Sequence, residues 1–191
     1  MKKYLKYIII GVVIVGLIGG YYFYISNRST VVDVEETTTE ISAAKKLLLR
    51  SMSIDYPPSP KEVVKYYADI TVALYTSEYS EDEFKLLALR LRDLYDEDLL
   101  AANEEQAYLS ALKNEVQGYK DQGIAISSYA TSSSTDVFYF NEGGYNCSRL
   151  YATFTMKQGT SVELVREIFV LRKDTEGHWK IMGWALAKDE E

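Results

Sequence analysis

The sequence is poor in the side chains that most often bind metals or act as nucleophiles. Its 191 residues include one cysteine, Cys147, and one histidine, His178. These two residues lie apart in the chain, so neither a Cys–His nucleophile nor a zinc, copper or iron–sulfur ligand set is predicted. Cys147 also lacks a disulfide partner within the chain, so a folded domain must depend on its packed core. We expect Cys147 to be a small buried residue of a strand and expect no metal site.

Positive charge and phosphate-binding loops are scarce as well. The chain carries 21 Lys+Arg against 28 Asp+Glu, a formal net charge of −7. An acidic balance disfavours binding to a phosphate backbone, so no nucleic-acid partner is expected. The pair Gly143-Gly144 fits a hairpin turn and does not precede a helix. No nucleotide-binding loop and no cofactor are therefore predicted.

An apolar run near the start is the clearest positive feature. Residues 8–25 contain no charged side chain. As a helix they would measure about 27 Å, which together with the residues just before them matches a hydrocarbon layer of about 30 Å. The competing interpretation is a signal peptide. The apolar core of a signal peptide is about 7–15 residues long and is followed by small residues at the cleavage site. Aromatic residues occupy positions 21–24 instead. We therefore predict an uncleaved, single-pass membrane anchor.

The charges beside this run predict its orientation. Three lysines, Lys2, Lys3 and Lys6, precede it, and acidic residues follow it from Asp33 onward. Because positive flanks stay in the cytoplasm, residues 1–7 are predicted to be cytoplasmic. The remaining chain would then lie outside the cell membrane.

Composition divides the rest into a stalk and a domain. Residues 26–55 are rich in Ser, Thr, Val and Glu and are predicted to be a stalk or linker, with a short helix at residues 41–54 left open. The segment Tyr56-Pro57-Pro58-Ser59-Pro60 is stiff and extended, and it marks the border. Residues 56–191 have the size of one domain.

Three helices are predicted first, each from a start signal. Ser59 and Pro60 supply an N-cap and a first helical residue, Ser80 and Glu83 form a capping box, and Asn103 begins the third helix. Apolar residues at helical spacing follow each signal, so each helix should bury one face. They are Val63, Tyr67, Ile70 and Leu74; Phe84, Leu87, Leu91 and Leu94; and Tyr108, Leu112, Val116 and Tyr119.

After Gly123 the apolar period changes to two. Five strands separated by short turns are predicted at residues 124–130, 136–140, 147–157, 162–173 and 178–186. In the third strand, Leu150, Ala152 and Phe154 alternate with polar or semi-polar residues, which predicts one face against the helices. Helices followed by antiparallel strands indicate an α+β domain.

Three segments carry resemblances to known proteins. The last hairpin has the pattern Arg172-Lys173-Asp174-x-x-Gly177-x-Trp179-Lys180-Ile181-x-Gly183-Trp184. The other two segments are residues 55–67, which include the start of the first predicted helix, and residues 94–100, which follow the second. Together with the order of elements, the hairpin pattern resembles the nuclear-transport-factor-two-like superfamily. Residues 55–67 and 94–100 are similar to segments of uncharacterised membrane-anchored or lipid-anchored proteins of Gram-positive bacteria with such domains. The resemblance implies three helices on a curved antiparallel sheet, a cystatin-like cone. Its pocket is an enzyme site, a ligand site or plain core in different members, so fold alone does not decide function.

Two carboxylates are candidates for pocket chemistry. Asp69 adjoins the apolar face of the first helix, and Glu167 interrupts an apolar strand. A carboxylate kept dry beside tyrosine hydroxyls can move protons. We nevertheless expect Asp69 to face solvent and Glu167 to pair with Arg149 or Arg166, so no catalytic residue is predicted. A solvated turn is likewise expected for the acidic cluster Asp93, Asp96, Glu97 and Asp98.

Tyrosine is abundant, with 17 Tyr against 6 Phe and 2 Trp. Tyrosine suits interfaces because it combines a large contact area with a polar tip. The candidate ligand-binding or partner-binding residues are Tyr67, Tyr129, Tyr139 and Tyr151.

These features predict an extracytoplasmic binding or scaffolding module without catalysis, engaged in a bacterial cell-envelope assembly. Its partner would be an envelope protein or a second copy of the chain. The alternative is a surface-tethered cone that binds a small molecule or transfers protons. An apolar concavity with one sequestered acid would favour the alternative. A filled cone with an exposed aromatic face would favour scaffolding.

Overall fold

The computed structural model describes residues 42–187. It contains the helices α1 (Ala43–Leu48), α2 (Pro60–Thr76), α3 (Glu81–Arg92), α4 (Glu97–Ala102) and α5 (Glu105–Asp121). The strands are β1 (Ile124–Thr131), β2 (Phe138–Glu142), β3 (Tyr145–Gln158), β4 (Ser161–Lys173) and β5 (Trp179–Leu186). Within this range no helix combines the length and apolar character needed to cross a bilayer. The predicted anchor, its cytoplasmic flank and most of the predicted stalk lie outside the described residues.

Two of the three long helices begin at the predicted signals, and the third begins one residue later. The Ser59 side chain accepts a hydrogen bond from the backbone of Glu62, with Pro60 as the first residue of α2. Ser80 and Glu83 form both halves of a capping box at α3. Each bond satisfies a backbone group that a helix end would otherwise leave without a partner. At α5 the cap is Glu104 rather than Asn103, and its carboxylate accepts from the Ala107 backbone.

The folded unit begins earlier than the predicted border at Tyr56. The compact part of the chain includes residues 42–55. Ala44 of α1 is fully buried, and the Tyr66 hydroxyl of α2 donates to the Leu47 carbonyl at 2.8 Å. The end of the predicted stalk is therefore part of the domain, because α1 covers α2 and α3.

The five strands form one antiparallel sheet in the order β1-β3-β4-β5, and β2 pairs with the beginning of β3. Their bounds lie close to the predicted ones. The β2–β3 turn has positive φ at Gly143 (59°) and Gly144 (86°), which a two-residue hairpin turn requires. The prediction of an α+β domain, with helices packed on an antiparallel sheet, is confirmed.

The core lies between α2 and the inner face of the sheet. Leu150, Ala152 and Phe154 of β3 are buried, as their alternation predicts. Phe169 and Leu171 of β4 lie on the same face and are fully buried. The helix α2 packs against β1, β3 and β5. Cys147 is buried in β3, as expected.

Two helices depart from a single apolar stripe. Tyr66 and Tyr75 fall off the predicted stripe of α2, yet they are 4% and 6% exposed. They are buried because α2 is covered by α1 and α5 as well as by the sheet. The helix α5 buries fewer residues than its predicted stripe, since Val116 is its one buried residue. The predicted stripe of α5 is only partly covered, which leaves room beneath the helix.

The acidic cluster after α3 is not simply a solvated turn. Asp96 is 3% exposed and caps α4 with its side chain. The loop also joins the sheet, because the backbone N–H of Asp96 donates to the Ile181 carbonyl and that of Ile181 donates to Leu94. Asp93 and Asp98 are exposed, as expected.

Candidate ligand cavity

A cavity of about 590 Å³ lies between the helices and the inner face of the sheet. We call it the central cavity. Residues from α2, α5, the α3–α4 connection and the sheet form its wall. Seven aromatic residues line it: Tyr67, Tyr75, Tyr95, Tyr108, Tyr119, Phe154 and Trp184. Its charged lining residues are Glu104, Glu115 and Glu167, all of them acidic.

Small residues on α5 explain the empty space. Ala107 and Ala111 lie one turn apart on the face that borders the cavity, and their methyl groups leave the space below the helix unfilled. Val165 and Glu167 border the cavity from β4. Because α5 packs mainly on β1, α2 and α3, it does not close over β4. Ala107, Ala111 and Glu115 are exposed, so the cavity opens along α5.

Aromatic rings form one wall. The Trp184 ring lies 5.3 Å from Tyr67 and 5.7 Å from Tyr95, measured between ring centroids. Phe169 stacks on Trp184 from the core side at 6.0 Å. Tyr95 and Tyr108 meet edge to face, with centroids 6.0 Å apart. These separations are typical of favourable aromatic pairs, so the wall is a packed cluster and not a set of loose side chains.

Two carboxylates face this wall. Glu167 of β4 is half-buried, and burial raises its pKa to about 7, with the negative charge of Glu115 adding to the shift. Glu115 accepts a hydrogen bond of 2.6 Å from the Tyr75 hydroxyl, which joins α2 to α5. Burial and this bond to Glu115 raise the pKa of Tyr75, so its hydroxyl stays protonated. The site therefore holds an excess of negative charge beside aromatic and apolar surface.

The expected pairing of Glu167 with an arginine is wrong. Successive side chains of a strand point to opposite faces of the sheet, so the side chains of Arg166 and Glu167 cannot lie on the same face. Arg166 lies on the outer face, with its guanidinium 4.0 Å from the ring centroid of Tyr151. Arg149 is also on the outer face, over the ring of Phe138 at 4.7 Å. Within residues 42–187, Glu167 has neither an ion pair nor a side-chain hydrogen bond.

Asp69, the other candidate acid, does not face solvent as expected and does not line the cavity. It is half-buried on α2 and accepts a hydrogen bond of 2.6 Å from the Tyr129 hydroxyl of β1. Burial and this carboxylate raise the pKa of Tyr129. The pair connects a helix to the edge of the sheet, which is a structural role.

The four candidate tyrosines are not brought together. Tyr67 is buried and lines the central cavity. Tyr129 binds Asp69 at the edge, and Tyr151 lies on the outer face under Arg166. Tyr139 is 55% exposed on β2, with its ring 5.8 Å from Trp179.

Sequence reasoning missed Glu115 and Trp184. Glu115 follows Ala111 by four residues, so the helical period does place it on the same face. Trp184 is different, since it lies three positions after the buried Ile181, and an odd offset along a strand predicts side chains on opposite faces. A bulge between the pairs Val170↔Gly183 and Leu171↔Ile181 brings both residues to the inner side.

One group of potential metal ligands lies in the β4–β5 turn. The Nδ1 atom of His178 is 3.8 Å from Asp174 and 3.6 Å from Glu176. The turn itself explains this proximity, because Asp174 Oδ1 accepts the backbone N–H groups of Glu176 and His178. The absence of a metal site therefore stays a prediction.

Comparison with known proteins gives a family and no activity. Residues 1–184 match the family described as "Domain of unknown function (DUF6715)". The chain belongs to this family. No curated protein matches it. Any function must therefore be argued from the central cavity and the surface around it.

Proposed function

We propose that the chain is a small-molecule-binding module and that the central cavity is its ligand site. One observation carries the proposal: an apolar, aromatic cavity of about 590 Å³ that holds the half-buried carboxylate of Glu167. Ligand sites typically measure about 300–1,000 Å³ and combine apolar walls with a few polar groups. A domain that needed only a core would fill this volume, since protein interiors are close-packed.

The cellular setting is part of the proposal. The apolar run at residues 8–25 and the lysines before it favour a single-pass anchor, with the domain outside the cell membrane. The order of helices and strands supports the resemblance to the nuclear-transport-factor-two-like cone, whose pocket lies between the same two layers. We infer a tethered binding protein of a Gram-positive cell envelope.

A cavity-filling substitution tests the ligand site. Ala111 lines the cavity where it opens along α5, so Ala111→Trp places a large ring at this opening, and we expect it to abolish ligand binding. Ser110→Trp is the matched control, because Ser110 is the exposed neighbour on the same helix and does not line the cavity. The full chain in lipid nanodiscs would be screened against small aromatic compounds by ligand-observed NMR. Hits that persist in Ala111→Trp would contradict the proposal.

The scaffolding interpretation remains a second candidate because the β2–β3 hairpin carries aromatic residues on its surface. Phe138, Tyr139 and Tyr145 are 53%, 55% and 47% exposed. Exposed aromatic residues are typical of contact surfaces. A photo-crosslinking residue at Tyr139 should then capture a second copy of the chain or one specific envelope protein in intact cells, whereas the same probe at Lys157 should not. Equal capture at both positions would count against this surface.

A further inference from the structure

The charge and ring geometry of the central cavity narrow the class of ligand. We propose that the central cavity binds an organic cation, in which an amine or quaternary ammonium group is attached to an apolar or aromatic body. This inference rests on the proposed function and adds the charge of the ligand. A cation site requires two features: negative charge that no basic side chain of the protein neutralises, and a surface that a cation can contact favourably.

The first requirement concerns the lining charges. The three charged lining residues are Glu104, Glu115 and Glu167. The Glu104 carboxylate is occupied at the start of α5, where it accepts the Ala107 backbone N–H at 2.9 Å. Glu115 holds one hydrogen bond, from Tyr75, and Glu167 holds none among the described side chains. Two carboxylates therefore face the cavity without a cation.

Two arginines of the elements around the cavity have contacts of their own, and neither is a lining residue. The Nη1 atom of Arg92 donates to the Asn103 carbonyl at 2.6 Å, and its guanidinium lies 5.3 Å from the ring centroid of Tyr108. Arg166 points to the outer face. No basic residue of the described chain lines the cavity. A bound cation would thus be the counter-charge that Glu115 and Glu167 lack.

The second requirement is the aromatic wall. Trp184 of β5 is in ring contact with both Tyr67 of α2 and Tyr95 of the α3–α4 connection, and all three rings line the cavity. The face of an aromatic ring attracts a cation within about 6 Å, most strongly for Trp and when water is excluded. An anion would meet two carboxylates and the negative ring faces, and a neutral ligand would leave the acids unsatisfied. The geometry therefore discriminates by charge.

Proton binding provides a signature of this site. Seven other titratable groups share it with Glu167, and they come from α2, from the α3–α4 connection, and from α5 with its N-cap. They are Tyr67 and Tyr75; Tyr95; and Glu104, Tyr108, Glu115 and Tyr119. The tyrosines stay neutral near pH 7, so Glu167 is the group that changes charge there. A cation should displace its proton. If binding lowers its pKa by two or more units, affinity should be about tenfold higher at pH 8 than at pH 6.

Three matched probes test the inference: benzyltrimethylammonium, benzyl alcohol and phenylacetate, which share an aromatic body and differ in charge. Binding would be measured by calorimetry on the full chain in lipid nanodiscs, with empty nanodiscs as background. We expect the cation to bind at least about tenfold more tightly than the neutral probe and the anion to bind weakest. Its affinity should rise from pH 6 to pH 8.

Variants separate the two proposals. Glu167→Gln and Glu115→Gln keep side-chain shape, and each should weaken cation binding about fivefold or more and leave benzyl alcohol unchanged. Glu167→Gln should also remove the pH dependence. Glu142→Gln, on the exposed β2 edge, is the control.

Equal affinity for cation and neutral probe, with both lost in Ala111→Trp, would overturn the inference and leave the ligand site standing. No binding of any probe, or binding indifferent to Ala111→Trp, would overturn both.

Discussion

The Asp96 carboxylate, at the start of α4, accepts hydrogen bonds from Nε and Nη2 of Arg172 in β4, the first at 2.9 Å. The side chains are 4% and 12% exposed. Arg172 also donates to Asp98 at 2.9 Å. The pair fastens the α3–α4 connection to the sheet and thereby positions Tyr95 in the cavity wall. A paired arginine fork is well suited to this because its donors match a carboxylate.

Removing Arg172 should destabilise the domain strongly. Arg172→Ala leaves the buried Asp96 charge without its partner, and we expect the free energy of unfolding to fall by about 3 kcal/mol. Thermal or denaturant unfolding of the full chain measures this. Asp98→Asn is the control, since Asp98 is 75% exposed and its loss should change stability by less than about 0.5 kcal/mol. Similar small effects for both variants would show that the pair is not structural.

Large core residues should be sensitive to truncation. Leu91, Phe154 and Trp179 are 3%, 4% and 9% exposed. Their replacement by alanine should lower the free energy of unfolding by about 2–5 kcal/mol each, because the cavity left behind is only partly refilled. Leu164→Ala provides a comparison, since Leu164 is 67% exposed and should change little. Unchanged unfolding in all three core variants would show that the core assignment is wrong.

Stability should depend on pH through Glu167. Its pKa is raised from 4.5 to about 7, so the folded chain binds more protons than the unfolded chain between these values. The free energy of unfolding therefore decreases as pH rises through this window. Glu167→Gln removes the effect, and we expect it to be more stable than the parent at pH 8 by about 1–2 kcal/mol, allowing for solvent screening, with little difference at pH 4. Denaturant unfolding at both pH values measures this. Parallel pH profiles for parent and variant would contradict the burial of this charge.

The membrane orientation can be tested in cells. With residues 1–7 in the cytoplasm, protease added to intact protoplasts should digest the domain. Protection until lysis would reverse the predicted orientation. Removal of residues 1–27 should release a folded fragment, because the compact unit includes residues 42–187. Circular dichroism and thermal melting of that fragment would check this.

Local signals determined much of the architecture. The caps at Ser59 and Ser80, the two-residue period and the glycine turn at 143–144 act over a few residues, so the sequence predicts the three long helices, the five strands and the inner face of β3. The charged flanks of residues 8–25 and the scarcity of cysteine and histidine are likewise readable without a fold.

Tertiary structure alone decided what these elements enclose. The cavity exists because α5 rests on β1, α2 and α3 and borders the remaining space with small side chains of its own, and no local pattern reports such a gap. The bulge in β5 turns Trp184 inward. The packing of the helices on the sheet brings Glu115 of α5 and Glu167 of β4 to the same cavity. Arg172 contacts Asp96, which is 76 residues away in the sequence. Alternation and helical period specify the face of a single element. Which faces meet, and which charges are left without a partner, depends on packing between elements distant in the chain.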